Sequence, residues 1–140
     1  MKRRLFLSAS AATLASPGLW AQNLPSGPVR IVVGFPPGGG TDALARVVAQ
    51  KLQGIWNTSI VIENRAGAAG VIAADHVAKQ AGDGNTLLMA HINSHALAPS
   101  LQARLGYSVE NDFVPVCLVG VTPNLLIGTA GQSVKSVSEL

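Results

Sequence analysis

The stretch that decides the fold is Val29-Arg30-Ile31-Val32-Val33, followed at once by Gly34-Phe35-Pro36-Pro37-Gly38-Gly39-Gly40-Thr41-Asp42. Four of the first five residues are β-branched and apolar, the pattern of a strand buried on both faces of a parallel sheet. The glycines and prolines end that strand, and Thr41 or Asp42 is placed to cap a following helix. Leu44, Val47, Val48 and Leu52 predict the buried face of that helix, which should stop near Gly54. A strand, a glycine-rich turn and a helix in this order read as the opening of an α/β unit.

The same alternation continues outward. Ser59–Glu63 reads as a second strand, Asn64–Gly70 as a Gly/Ala-rich loop, and Val71–Lys79 as a second helix. Thr86–Ala90 reads as a third strand, and His91–His95 as a polar loop. Pro99–Leu105 suits a short helix with proline at its start. Phe113–Val119 and Asn124–Gly128 read as fourth and fifth strands. The expected architecture is an α/β sheet with mostly parallel strands. In such sheets ligands bind beyond the carboxyl ends of the strands, where the strand order reverses. Three loops leave those ends: Gly34–Asp42, Asn64–Gly70 and His91–His95.

Composition removes several function classes. Residues 1–21 have the pattern of an export signal: Lys2, Arg3 and Arg4 precede a short apolar run from Leu5 to Leu19, and Ala21-Gln22 is the expected processing junction. Arg3-Arg4-Leu5-Phe6-Leu7 is compatible with either a twin-arginine or an ordinary secretory signal. The formal charge of +3 comes from ten basic and seven acidic residues, and three of the ten lie in that signal. The remainder is neutral, so no basic surface for nucleic acid is expected. Cys117 is the only cysteine, which excludes an intramolecular disulfide; its setting in Val116-Cys117-Leu118-Val119 reads as a buried strand thiol. Ser136-Val137-Ser138-Glu139 is a capping box that should open a helix, and the chain therefore reads as a fragment of a longer protein.

The glycine-rich turn suits an anion. Backbone N–H groups at a helix N-terminus have no intrahelical partner, and the helix dipole adds partial positive charge. Gly38, Gly39 and Gly40 let a ligand approach the main chain, while Pro36-Pro37 stiffens the approach. Asp42 complements the dipole but repels a highly charged ligand, which favours a carboxylate over a pyrophosphate. One alternative is an exported enzyme binding a dinucleotide cofactor at Gly38-x-Gly40-x-x-Ala43, with Glu63 as the ribose-binding acid. The missing Gly-Lys-Ser/Thr excludes a P-loop. His91, Asn93 and His95 have no nearby acid or thiol to complete a metal site, and His76 reads as a solvated helix residue. No nucleophile elbow or acid/base pair is visible, and no cofactor is expected. An Arg65–Glu63 or Arg65–Asp42 ion pair accounts for the charges near the cleft.

Taken together, these segments resemble the Bug family, the solute-binding proteins of tripartite tricarboxylate transporters. The resemblance rests on Val32–Asp42 with Ala45-Arg46, Val61–Gly70, Asp83–Leu88, Pro99-Ser100-Leu101, Asp112-Phe113-x-Pro115-Val116 and Ser133–Val137. It implies a periplasmic binding protein of type II, with two α/β lobes joined by crossing strands in a chain about twice this length. Residues 1–21 would be the export signal, 22–121 the first lobe's N-terminal part, and 122–140 the crossover and start of the second lobe. The resemblance further implies a non-enzymatic, monomeric receptor that captures a small carboxylate and delivers it to a membrane permease. Phe35, Pro36, Pro37, Gly38, Gly39, Gly40, Thr41 and Asp42 would form the carboxylate loop, with His91, Asn93, Ser94 and His95 opposite. Ala66, Ala69 and Asn85 depart from the usual proline, glycine and aromatic residue, and the His91–His95 loop differs from the common Gly/Thr-rich version.

Overall fold

A computed structural model describes residues 27–121, 126–129, 131, 133 and 136–139; the expected export signal lies outside them. The chain runs β1 (Val29–Val33), α1 (Gly40–Trp56), β2 (Ile60–Asn64), a 3-10 turn (Ala68–Gly70), α2 (Val71–Ala78) and β3 (Thr86–Met89). A π-helical turn, Asn93–Leu97, then runs directly into the short helix α3 (Ala98–Leu101). The sheet is parallel throughout, in the order β2-β1-β3. β1 is therefore central, and Val29, Val32 and Val33 are fully buried. The chain steps from β1 to β2 on one side, then crosses β1 to reach β3 on the other. The strand order thus reverses at the carboxyl end of β1.

Side chains of a strand alternate between faces. Val29, Ile31 and Val33 form a core with Ala45 and Ala49 of α1 and Ile60 of β2, with Leu52 and Trp56 packed against it. The opposite face of β1 meets α2, where Gly34 lies against Gly70 and Ala73. The two helices therefore cover opposite faces of the sheet.

The face of α1 differs from the expected one. Ala45 and Ala49 are buried, whereas Leu44 and Val47 are exposed. Small residues four apart let the helix axis approach the β-branched surface of β1; of the expected face, Leu52 packs against the core and Val48 is half-buried, while Leu44 and Val47 are left outside. The helix also passes Gly54 to Trp56, which is half-buried against the core, and stops at Asn57 in the left-handed conformation (φ 50°).

Three further expectations are corrected. His91–His95 is largely a helical turn and not an open loop, because Ser94 and Tyr107 pack inward beneath it. Phe113–Val119 forms no strand: Val114, Val116 and Leu118 are each more than four-fifths exposed, and Cys117 is exposed. A β-branched run becomes a strand only when a neighbour takes its N–H and C=O groups, and this segment joins neither β2 nor β3. Of the fifth expected strand, Asn124 and Leu125 lie outside the described residues, and Leu126–Gly128 is not strand.

Candidate functional site

The three loops expected to form the site do converge. Gly70 is their meeting point: a methyl placed on Gly34 would lie 2.7 Å from its Cα, and one placed on Gly70 would lie 3.6 Å from Ser94 and 3.7 Å from Phe35. The rings of Phe35 and His91 meet edge-on, 4.8 Å between centroids.

Within the first loop, Gly39 is the N-cap of α1, in place of the expected Thr41 or Asp42, and no side chain caps that end. Asp42 lies three positions into the helix and turns inward, 2% exposed. Its carboxylate accepts the Gly38 N–H (2.9 Å), Arg46 Nε (2.8 Å) and Nη2 (3.1 Å), and Asn64 Nδ2 (2.9 Å). Four donors fill the carboxylate's accepting capacity. The Arg46 hydrogen bonds, then those of Gly38 and Asn64, hold its pKa well below the usual carboxylate range. Asn64 also donates to the Phe35 carbonyl (3.1 Å), tying the end of β2 to the turn.

Asp42 is thus the anchor of the turn, and its charge is compensated within the protein. The partner is Arg46, one helical turn on, and not Arg65. The spacing of an acid four residues before an arginine was the available signal. Asn64 had none, since its role depends on a contact across 22 residues. Arg65 pairs with Glu63 as expected, and Arg30 lies 3.8 Å from the same carboxylate. Glu63, which a dinucleotide site would need for its ribose, is occupied by these two arginines.

What remains open on the turn is backbone. Gly38, Gly39 and Gly40 are exposed. A methyl on Gly38 or Gly40 would meet nothing within 4 Å, and one on Gly39 only the Pro36 carbonyl at 3.5 Å. Gly38 has φ +84°, a conformation glycine adopts freely.

The third loop divides its residues. His91 borders the Phe35 ring, and its Nδ1 accepts the Asn93 N–H (3.3 Å). Ser94 is buried, donates to the His91 carbonyl (3.1 Å), and lies 2.9 Å from His95 Nδ1. The Tyr107 hydroxyl donates to the Ser94 carbonyl (2.6 Å). His95 packs edge-on against Phe113, and burial lowers its pKa. Ser94 and His95 therefore brace the loop from beneath. Asn93 alone of the four faces a cavity of about 300 Å³, which opens between the Ala68–Ala69 turn and the helical segment after β3. His76, expected in solvent, is instead half-buried, with its Nε2 enclosed and unpartnered among the described residues.

A parallel sheet whose loops gather at the strand-order reversal is shared with solved periplasmic binding proteins, and the chain is a lobe of that class. The chain belongs to the tripartite tricarboxylate transporter receptor family, whose model matches residues 44–140. The protein BugT of Bordetella pertussis is 40% identical over 132 residues, 94% of this chain and 40% of BugT. Among solved structures, MatC from Rhodopseudomonas palustris with bound malate superposes with a TM-score of 0.64 at 40% identity, covering 68% of this chain and 32% of MatC. The periplasmic binding protein BugD gives 0.60 at 37% identity, over 64% of this chain and 29% of BugD. The chain spans about two-fifths of the curated relative's length and about a third of the solved chains.

Proposed function

We propose that the protein is the solute-capturing component of a periplasmic uptake system. It holds one carboxylate of a small organic acid on the main chain at Gly39 and Gly40 and passes the solute to a membrane permease. Residues 1–21 direct export, residues 22–121 form the first lobe, and 122–140 lead toward a second that closes over the solute. No bond is made or broken.

The observation that carries this reading is the open backbone of Gly39 and Gly40 at the N-terminus of a 17-residue helix. The turn is fixed from behind by Asp42 and Asn64, so its N–H groups need little reordering when an anion arrives. MatC, a structural neighbour at 40% identity, carries malate, which supports a carboxylate here. Phe35 and His91 flank the approach, and Pro36-Pro37 limits its movement.

Gly39→Leu tests the reading, because the fold has room for the added side chain. The solute that co-purifies with the complete receptor would be identified by mass spectrometry and titrated by calorimetry. The variant should bind at least about 100-fold more weakly, as two or more charge-assisted hydrogen bonds are lost, with its melting temperature nearly unchanged. Unaltered affinity would remove the turn from the site.

A further inference from the structure

We infer that Tyr107, which lies outside the three loops, is a positioning residue of the solute site: its hydroxyl holds Ser94, and Ser94 seats His91 against Phe35 beside the glycine turn. This rests on the carboxylate reading of that turn and adds a residue that sets its geometry from a distance. The need for Tyr107 begins in the π-helical turn. The Ala98 N–H bonds the Asn93 carbonyl, five residues back. In the same register the Ser94 carbonyl would take its donor from residue 99, which is proline and has no N–H. Ser94 is 3% exposed, so an unpaired carbonyl there would be costly. The Tyr107 hydroxyl supplies the missing donor at 2.6 Å, across 13 residues.

Ser94 is a joint between Tyr107 and the site. Its N–H and its hydroxyl both donate to the His91 carbonyl, each at 3.1 Å, and the His95 N–H joins them at 3.0 Å. Ser94 also lies against Gly70, where a methyl would meet it at 3.6 Å. His91 then reaches the ligand turn by register. Val33 of β1 pairs with Met89 of β3, and two residues beyond that pair stand Phe35 and His91, whose rings meet edge-on. Tyr107 is itself fixed on two sides. The ring of Phe113 stands at 87° to it, 5.7 Å between centroids. Gly106 lies so close to α2 that a methyl there would collide with the Asp75 carboxylate. The hydroxyl is therefore aimed by packing that does not involve the glycine turn, and its hold on Ser94 is passed through His91 to Phe35.

Tyr107→Phe removes one oxygen and keeps the ring. Calorimetry on the complete receptor with malate, succinate and adipate reads the effect. Whichever acid binds most tightly should bind the variant about fivefold more weakly, the loss of one hydrogen bond, with the melting temperature lowered by no more than about 5 °C. Restoring a donor should reverse the loss. Pro99→Ala gives residue 99 an N–H that can serve the Ser94 carbonyl, so Tyr107→Phe combined with Pro99→Ala should return to within about twofold of the unaltered receptor. A tyrosine that only filled space would show no such rescue. Unchanged affinity in Tyr107→Phe, or a loss that Pro99→Ala leaves in place, would overturn the role of Tyr107. Gly39→Leu separates the two claims. If it weakens binding while Tyr107→Phe does not, only the positioning role fails. If it weakens nothing, or none of these acids binds, the carboxylate reading fails with it.

Discussion

The turn after β1 is held by a charged side chain, whereas the turn after β2 is held by backbone conformation. Asp42 gathers Gly38, Arg46 and Asn64 around one buried carboxylate, and the glycines before it are left relaxed and exposed. Ala66-Gly67-Ala68-Ala69-Gly70 has no polar side chain with which to do the same. Its shape comes from four successive positive φ values, Gly67 to Gly70, two of them at alanine. The first design leaves the main chain of Gly39 and Gly40 exposed; the second presents methyl groups. The two turns touch at Gly34 and Gly70, so a perturbation of either can be assigned by which kind of support it removes.

The contact between them is the point of largest expected effect. A Cβ at Gly34 would lie 2.7 Å from Gly70 Cα, a backbone atom that cannot rotate away. Gly34→Val should therefore destabilise the receptor by about 3 kcal/mol, measured by urea unfolding, and should disturb both turns together. A loss under about 1 kcal/mol would mean that the turns can separate without cost.

Asp42→Asn breaks the first turn alone. An amide cannot accept from all four donors, and its own N–H₂ must face another donor. A fall in melting temperature of about 10 °C is expected, along with weaker solute binding. The pH dependence gives the sign. The folded pKa of Asp42 is depressed, so its stabilising contribution is complete above the unfolded value near 4 and fades as pH falls below it. Thermal scans between pH 6 and pH 3 should show that loss in the native protein and less of it in Asp42→Asn. Parallel curves for the two would remove Asp42 as the anchor.

Much of this frame was legible in the sequence, and the gaps have a common cause. The run Val29–Val33 gave β1 to the residue because a doubly buried strand has no polar alternation to confuse it. Glycine and proline marked the turn for the same local reason. Asp42 was visible as a helix-terminal acid, but its inward direction depends on Asn64, which sequence spacing does not reveal. The core face of α1 was misplaced in part: Leu52 does pack on the core, but Leu44 and Val47 outweigh Ala45 and Ala49 in any pattern of apolar size, while close packing favours the small residues. Phe113–Val119 has strand propensity without a partner strand. The cavity was missed because two segments distant in sequence and a π-helical turn build it, and neither has a sequence signature.

The smallest effect is also the one that distinguishes the two turns by sign. Left-handed backbone costs a residue with a Cβ about 1–2 kcal/mol, and glycine at Ala69 would remove that cost. Glycine also gives the unfolded chain about 0.4–1 kcal/mol more freedom to lose. Ala69→Gly should therefore stabilise the protein by about 0.5–1 kcal/mol. The same substitution at Ala43, exposed in α1 behind the first turn, meets ordinary helical backbone and should destabilise by about 0.5–1 kcal/mol. Opposite signs from one chemical change would establish that the second turn stores strain where the first does not. If both substitutions destabilise, the alanines of the second turn are relaxed, and its wall is shaped by packing from α2 and α3 instead.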